Sequence, residues 1–357
     1  MRNFWNGKKV LITGHTGFKG SWLAFWLKML GADVCGYALM PESQPSLFEN
    51  LELENKIRSI IGDVRDLPHF EKTVQSFQPE IVFHLAAQSL VRKSYRAPIE
   101  TYTVNVIGTI NILEAVRKTD SVKSVVIITT DKVYENKEWH WAYRENERLG
   151  GFDPYSNSKA CAELAVSAYR NSFFGESDCL IATARAGNVI GGGDWSEDRL
   201  LPDVFRSLVF GEKLEIRNPH SIRPWQHALE PLAGYLKLAE KLYAGESNFA
   251  EAWNFGPAEE DSKPVGWILE EIKRIWNEPV NWKIAEGFQP HEARLLKLDS
   301  AKAKNELNWS PKLSLDEAVK LTAEWYRGFK NKQDLIKLTA NQINFYQNKN
   351  LNVHQTA

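Results

Sequence analysis

The 357-residue chain carries almost no net charge, few cysteines and no long apolar run, and each shortage excludes a class of protein. Forty-four lysines and arginines face 45 aspartates and glutamates, a net charge of −1, so no basic excess is present to hold a nucleic-acid backbone. The three cysteines, Cys35, Cys161 and Cys179, stand at wide and unpatterned spacing. Such spacing makes neither a zinc site nor a disulfide framework, so no metal is expected and the thiols are read as buried and reduced, as in the cytoplasm. The first apolar run, residues 10–13, is short and passes straight into glycines, which predicts no secretory leader. The next, residues 22–30, is broken by Lys28 and is too short to span a bilayer. Thirteen tryptophans are the one excess; most are expected in the core or at subunit contacts, a few against a base or a sugar.

Through the first half, short apolar runs alternate with helical patterns, the sign of stacked βαβ units. Strands are expected at residues 9–13, 33–39, 57–62, 80–85, 124–129 and 179–185, and helices at 21–30, 68–77, 98–118 and 155–174. EIVFHL and SVVIIT, within two of these strands, are nearly unbroken apolar runs, as in strands covered on both faces. The predicted class is α/β: a Rossmann-type, doubly wound parallel sheet with a smaller C-terminal substrate lobe. After residue 187 loops lengthen, and Pro202, Pro219, Pro224, Trp225 and Pro231 break the rhythm. The expected division is a dinucleotide-binding domain at 1–187, joined by segments returning from the C-terminal half, a substrate lobe at 188–330 and a helical extension at 331–357.

The strand at 9–13 runs into Gly14-His15-Thr16-Gly17-Phe18-Lys19-Gly20 and then a helix. Glycines at this spacing permit a tight turn and let the backbone approach a pyrophosphate, which the helix N-terminal amides then face. A plain turn does not need three glycines in register between strand and helix, so a dinucleotide is expected on Gly14, Thr16, Gly17, Phe18, Lys19 and Gly20. An acid for the adenosine ribose is expected about 20 residues on. Residues 36–40 offer none, and Glu42 is a late candidate. No arginine stands there for a 2′-phosphate, which favours NAD over NADP. Asp63 and Val64, after the third strand, are placed to touch the adenine edge, with a solvated turn as the plainer alternative.

Tyr155-Ser156-Asn157-Ser158-Lys159 opens the long helix, and residues i and i+4 share a face, so phenol and ammonium point the same way. A free phenol ionises at about 10, too high for a base at neutrality. The adjacent ammonium is expected to lower that value. Taken alone, such a pair is a common solvated helix face. Here it follows a glycine loop and a strand ending Thr129-Thr130, whose hydroxyls are expected to bond a reacting alcohol. Together they predict hydride transfer, with Tyr155 taking the hydroxyl proton and the hydride going to nicotinamide.

The glycine loop, His84-Leu85-Ala86-Ala87-Gln88, Asn105, residues 129–134 and the Tyr155/Lys159 pair resemble the extended short-chain dehydrogenase/reductase family, over residues 7–325. Thr130-Asp131-Lys132-Val133-Tyr134 is similar to the threonine–acid–acid run of its nucleotide-sugar 4,6-dehydratases, and RAGNVIGGGDW at 185–195 to their substrate-lobe segment. Asp131-Lys132, NKEW at 136–139, IRNP at 216–219, IRPWQH at 222–227 and PHEA at 290–293 resemble the cytidine branch of that group.

The resemblance implies a retained NAD and a CDP-sugar substrate, oxidised at C4, dehydrated across C5 and C6, and reduced at C6. It implies that Leu85, Ala86, Ala87 and Asn105 meet the cofactor and that Gln88 and Ser89 line the sugar pocket beside Thr130. Asp131 is the expected acid for the departing C6 hydroxyl, provided burial keeps it protonated. Related dehydratases have glutamate where Lys132 stands, so the C5 base is either a neutral Lys132 or another group, with Lys132 stabilising the enolate. A surface ion pair is the plain alternative for Asp131-Lys132. The diphosphate calls for guanidinium or amide donors. Arg223 is the first choice, Asn188 follows by resemblance, and Arg199 and Arg217 have surface salt bridges as their alternative. His291 is expected to close the lobe over the substrate, and Trp195 or Trp225 either stacks on the base or packs. The family further implies a cytoplasmic homodimer, or a tetramer, built on the helices at 98–118 and 155–174, and a role in deoxysugar biosynthesis for lipopolysaccharide O-antigen.

Two other readings stand beside this one. A nucleotide-sugar 4-epimerase or another oxidoreductase needs no acid or base at C5 and C6, against which Asp131-Lys132 argues. A non-catalytic dinucleotide sensor could dispense with Tyr155 and Lys159, and both are present.

Overall fold

The computed structural model describes residues 2–285 and 295–349. Its central sheet has seven strands: β1 (Lys9–Thr13), β2 (Asp33–Ala38), β3 (Arg58–Ile61), β4 (Ile81–His84), β5 (Ser124–Ile128), β6 (Leu180–Arg185) and β7 (Ala252–Asn254). They lie in the order 7-6-5-4-1-2-3, all parallel. Six of the strands follow the apolar runs of the sequence. The seventh is three residues from the C-terminal half, too short to show a period. Strand order reverses between β1 and β4, which opens a crevice at the carboxyl ends of the strands.

Helix α1 (Phe18–Met29) is buried continuously from Gly20 to Leu27, because apolar residues occupy all its sides. It begins three residues before the expected 21, so Gly20 belongs to the helix. A Cβ there would lie 2.0 Å from the Gly14 carbonyl oxygen. Gly14 has φ +77, and a Cβ on it would meet the Ala86 amide nitrogen at 2.7 Å. These two positions admit only glycine, which fixes the turn.

The helix expected at 98–118 is present in three pieces: Pro98–Tyr102, a π-helical turn at Thr103–Ile107, and α2 (Gly108–Arg117). A helix at Val91–Arg96 precedes it; its six residues are too few to show a period in the sequence. Helix α3 (Pro154–Phe173) starts on a local device. Asp153 accepts hydrogen bonds from the Ser156 amide (3.0 Å) and hydroxyl (2.6 Å), and Pro154 occupies the first turn. Tyr155 is thereby set at the first turn, facing the crevice.

Apolar layers cover both faces of the sheet. On one face, α4 (Leu229–Tyr243) docks on β5, where the Ser124 hydroxyl donates to the Ala239 carbonyl at 3.1 Å. Helices α5 (Leu315–Lys330) and α6 (Leu335–Asn348) close the same side. The Trp325 indole donates to Thr339 (3.0 Å), and the Tyr346 hydroxyl to Glu230 (2.8 Å). Helix α6 is thus packed into the body of the protein. Cys35 and Cys179 are buried, burial pushing both thiols up to about 12, while Cys161 is only half-buried. Among the described residues no helix is long and apolar enough to cross a membrane, and no group of histidine, cysteine and acidic side chains is placed to hold a metal ion.

Candidate active site

A cavity of about 850 Å³ opens at the carboxyl ends of the strands and runs from the glycine turn past Tyr155 to residues 198–225. At one end Gly14, Thr16, Gly17, Phe18, Lys19 and Gly20 line it, with Asp63, Val64, Leu85, Ala86 and Ala87. Gly17 is the N-cap residue of α1, supplies no side-chain cap, and is followed by no acid in the first turn. The first amides of the helix therefore face the cavity without an intrahelical or capping partner, a cradle suited to a pyrophosphate. Lys19 adds a cation; burial, with a contribution from Arg199, lowers its ammonium to about 8. Leu39 and Met40, both exposed, form an apolar rim beside it. Glu42 lines the same edge, 3.4 Å from Lys93, and Asp63 accepts from the Arg65 guanidinium at 3.0 Å. This set fits a dinucleotide.

Tyr155, Thr130, Asp131 and Lys132 meet at the middle of the cavity. Burial pushes the Tyr155 phenol up to about 12, opposed by its hydrogen bond with Thr130 and by the charge of Arg199. The net direction is upward, against the expected lowering, because burial outweighs the groups that favour the phenolate. Lys159 lies beneath the cavity wall, its Nζ donating to the Ile128 carbonyl at 3.1 Å. Burial and the nearby Lys19 draw its ammonium down to about 7, against the opposing pull of Glu163.

Asp131 is wholly buried, which sets it apart from a surface ion pair. Its Oδ1 accepts from the Thr130 hydroxyl at 2.9 Å and lies 3.8 Å from Lys132 Nζ. Its Oδ2 has no hydrogen-bond partner. Room for Oδ2 exists because residue 187 is glycine: a Cβ there would stand 1.9 Å away.

Two expected residues, Gln88 and Asn105, leave the cavity lining, and a third, Thr129, turns its hydroxyl away from it. The Thr129 hydroxyl donates to Glu163 at 2.5 Å, so only Thr130 faces the reacting alcohol. Side chains alternate along a strand, and the last two residues of this run cannot both point inward. Gln88 and Asn105 are buried and bonded to protein. The Asn105 amide donates to the Gln88 carbonyl (3.0 Å) and to Ser158 (2.9 Å) and accepts from the Gln88 amide (2.9 Å). The Gln88 side chain donates to Thr101 at 2.9 Å. They join the loop after β4 to α3 instead of lining the cavity.

At the far end the lining includes Ser89, Asn188, Arg199, Arg217 and Arg223. Asn188 holds φ +38, and its buried Nδ2 has no partner. Arg199 pairs with Asp194 (3.2 Å) and donates to Ser89 (2.9 Å). Arg217 donates to the Asp198 carbonyl at 2.8 Å and Arg223 to the Ile222 carbonyl at 3.0 Å. Arg92, missed in the sequence, joins this wall 3.0 Å from Asp198. A cation three residues past Ser89 was the signal available for it. Trp195 and Trp225 touch the cavity but are mainly packed: Trp195 abuts Tyr326 edge-on at 4.9 Å, and the Trp225 indole donates to the Lys263 carbonyl at 3.1 Å. His291 lies outside the described residues.

A nucleotide cradle at a strand-order reversal, beside a phenol and a buried acid, defines a nucleotide-sugar-modifying enzyme of the short-chain dehydrogenase/reductase type. The chain belongs to the GDP-mannose 4,6 dehydratase family, which matches residues 11–322. It is 50% identical over 350 residues to CDP-glucose 4,6-dehydratase of Salmonella typhimurium, covering 97% of this chain and 98% of the relative. It is 27% identical to dTDP-glucose 4,6-dehydratase of Haemophilus influenzae, over 89% of this chain and 97% of that one. Among solved structures, its fold is similar to UDP-glucose 4-epimerase of Thermotoga maritima with UDP-glucose (TM-score 0.78, 24% identity, 90% of this chain and 99% of that one). It is also similar in fold to dTDP-glucose 4,6-dehydratase of Bacillus anthracis in complex with NAD (TM-score 0.75, 21% identity, 92% and 100%).

Proposed function

We propose that the protein is an NAD-dependent hydro-lyase that converts CDP-glucose to CDP-4-dehydro-6-deoxyglucose and water. The observation that carries this reading is the buried Asp131, its Oδ2 unpartnered, in the same cavity as Tyr155 and the glycine cradle. An epimerase has no use for an acid there. The likeness to the Salmonella relative over nearly the whole chain supports cytosine as the base.

NAD, when bound, supplies the hydride acceptor for C4 and the hydride donor for C6. Gly14–Gly20 backbone, Asp63 and Val64 hold it. Tyr155, as its phenolate, takes the C4 hydroxyl proton as the C4–H bond breaks, with Thr130 bonded to the same oxygen. The C4 ketone acidifies the C5 proton, which leaves as the C6–O bond breaks. Asp131 donates the proton that lets the C6 hydroxyl depart as water. Lys132, on the cavity wall, either takes the C5 proton as a neutral amine or stabilises the enolate as an ammonium. Hydride then adds at C6 and a proton at C5. These steps leave Tyr155 one proton richer and Asp131 one poorer. Thr130 contacts both groups, so its hydroxyl is a path for the return.

Arg199, Arg217, Arg223, Arg92 and the Asn188 amide suit the substrate diphosphate. Exposed Ile99, Ile107, Leu164 and Phe173, on the helical layer around α3, suit a homodimer contact, with a tetramer as the alternative. We place the enzyme in the cytoplasm, supplying a deoxysugar precursor of the kind used in lipopolysaccharide O-antigen. Incubation with CDP-glucose and NAD is expected to give the alkali-induced absorbance of a 4-keto-6-deoxysugar. Deuterium placed at C4 is expected at C6 of the product, with solvent hydrogen at C5. Recovery of unchanged sugar or of CDP-galactose would refute the assignment.

A further inference from the structure

We propose that Glu163 is a positioning residue for the reaction, acting from behind the site on both Thr129 and Lys159; this rests on the dehydratase reading and deepens it. Glu163 lies on α3, one turn after Lys159, so the two side chains share a face. It is almost completely buried, and both oxygens are fully engaged. Oε1 accepts from the Thr129 hydroxyl (2.5 Å) and Arg185 Nε (2.9 Å). Oε2 accepts from the Thr183 hydroxyl (2.7 Å) and Arg185 Nη2 (2.9 Å). Arg185 in turn donates to the Tyr134 hydroxyl at 2.8 Å and to the Glu145 carbonyl at 2.9 Å.

Two consequences follow for the reacting groups. First, Glu163 ties down the end of β5: with the Thr129 hydroxyl held backward, the next residue, Thr130, must face Tyr155 and Asp131. Second, Glu163 supplies negative charge beside Lys159. Lys19 from α1 also acts on Lys159, His84 from β4 feels its charge, and Tyr155 stands four residues before it on the same helix. Lys19 disfavours the ammonium. His84 is held neutral by burial, its value lowered to about 3. Tyr155 is a neutral phenol at rest. Glu163 is therefore the anion that opposes burial and Lys19, and it keeps Lys159 charged to higher pH. A charged Lys159 favours the phenolate that Tyr155 must become.

Glu163→Gln keeps the shape and removes the charge. At the ~6 Å between i and i+4 side chains and an effective dielectric near ~20, the loss amounts to about one to two pH units. The alkaline limb of kcat for CDP-glucose is expected to move down by at least about one unit, with KM unchanged. The loss of kcat is then at least about tenfold greater above the limb than below it. Because Glu163→Gln leaves Arg185 buried without its anion, the double variant Glu163→Gln/Arg185→Gln is measured beside it. It removes both charges, retains amides of similar size, and is expected to show a limb displaced in the same direction by a smaller amount, because the Arg185 cation beside Glu163 is removed with it. Loss of activity by one constant factor at every pH, in a folded variant that still holds NAD, would assign Glu163 a purely structural role and overturn the proposal. Wild-type turnover is recorded first: its absence refutes the dehydratase reading itself, whereas normal wild-type turnover with an unmoved limb refutes only the role of Glu163.

Discussion

Gly187→Ala tests the acid step through a single methyl group. The added Cβ would lie 1.9 Å from Asp131 Oδ2 and 2.3 Å from its Cγ, far inside van der Waals contact. The Gly187 backbone is not among the left-handed glycines, so alanine is not refused by its own conformation. The clash must be relieved by moving the Asp131 carboxylate, which is wholly buried and tied to Thr130. Overpacking of this kind costs about 1–3 kcal/mol, and the fold is expected to survive it. A displaced carboxyl no longer reaches the C6 hydroxyl, and general acid catalysis is worth roughly 10²–10⁴-fold. Turnover is therefore expected to fall by about that factor, with Asp131→Asn giving a similar loss. The informative assay is stopped-flow absorbance of reduced nicotinamide. C4 oxidation does not require Asp131, so the reduced cofactor is expected to form and then persist in the variant while formation of the 4-keto-6-deoxysugar lags. Wild-type turnover in Gly187→Ala would show that the carboxylate tolerates the methyl or is not the acid. Loss of the reduced-nicotinamide signal as well would place the damage at the earlier step and refute the assignment.

Two further outcomes are expected. Tyr155→Phe should abolish turnover while the purified protein retains NAD; unaltered turnover would remove the phenol from the mechanism. Glu230 is fully buried and accepts from the amides of Lys312 (2.7 Å) and Leu313 (2.6 Å) and from Tyr346, yet burial pushes its carboxyl up to about 7. A carboxyl raised on folding favours the folded state fully below its unfolded value and loses that contribution as pH rises through the folded value. Across the interval from 4.5 to about 7, that is up to ~3 kcal/mol. Glu230→Gln should therefore raise the melting temperature relative to wild type above pH 7, with the gap closing toward pH 4.5. A gap independent of pH would show that Glu230 stays ionised throughout.

Local chemistry in the chain was enough to set the framework. The apolar runs of β1, β4 and β5 mark strands buried on both faces. Gly14 and Gly20 mark a turn too tight for any Cβ, and Tyr155 and Lys159 mark one face of a helix begun by Asp153-Pro154. Each of these is a property of neighbours in sequence, where steric and hydrogen-bonding rules act over a few residues. Which side chains face the cavity was decided only by tertiary packing. Thr129 and Thr130 are adjacent and chemically alike, yet a buried glutamate on another element claims the first. Gln88 and Asn105 satisfy each other across 17 residues and so leave the cavity lining. Gly187 lies in the 185–195 string, but nothing in that string shows the space it leaves for Asp131, more than 50 residues earlier in the chain. The rise of the Tyr155 phenol is likewise a tertiary effect, because desolvation depends on everything packed around it and outweighs any single partner read from i to i+4.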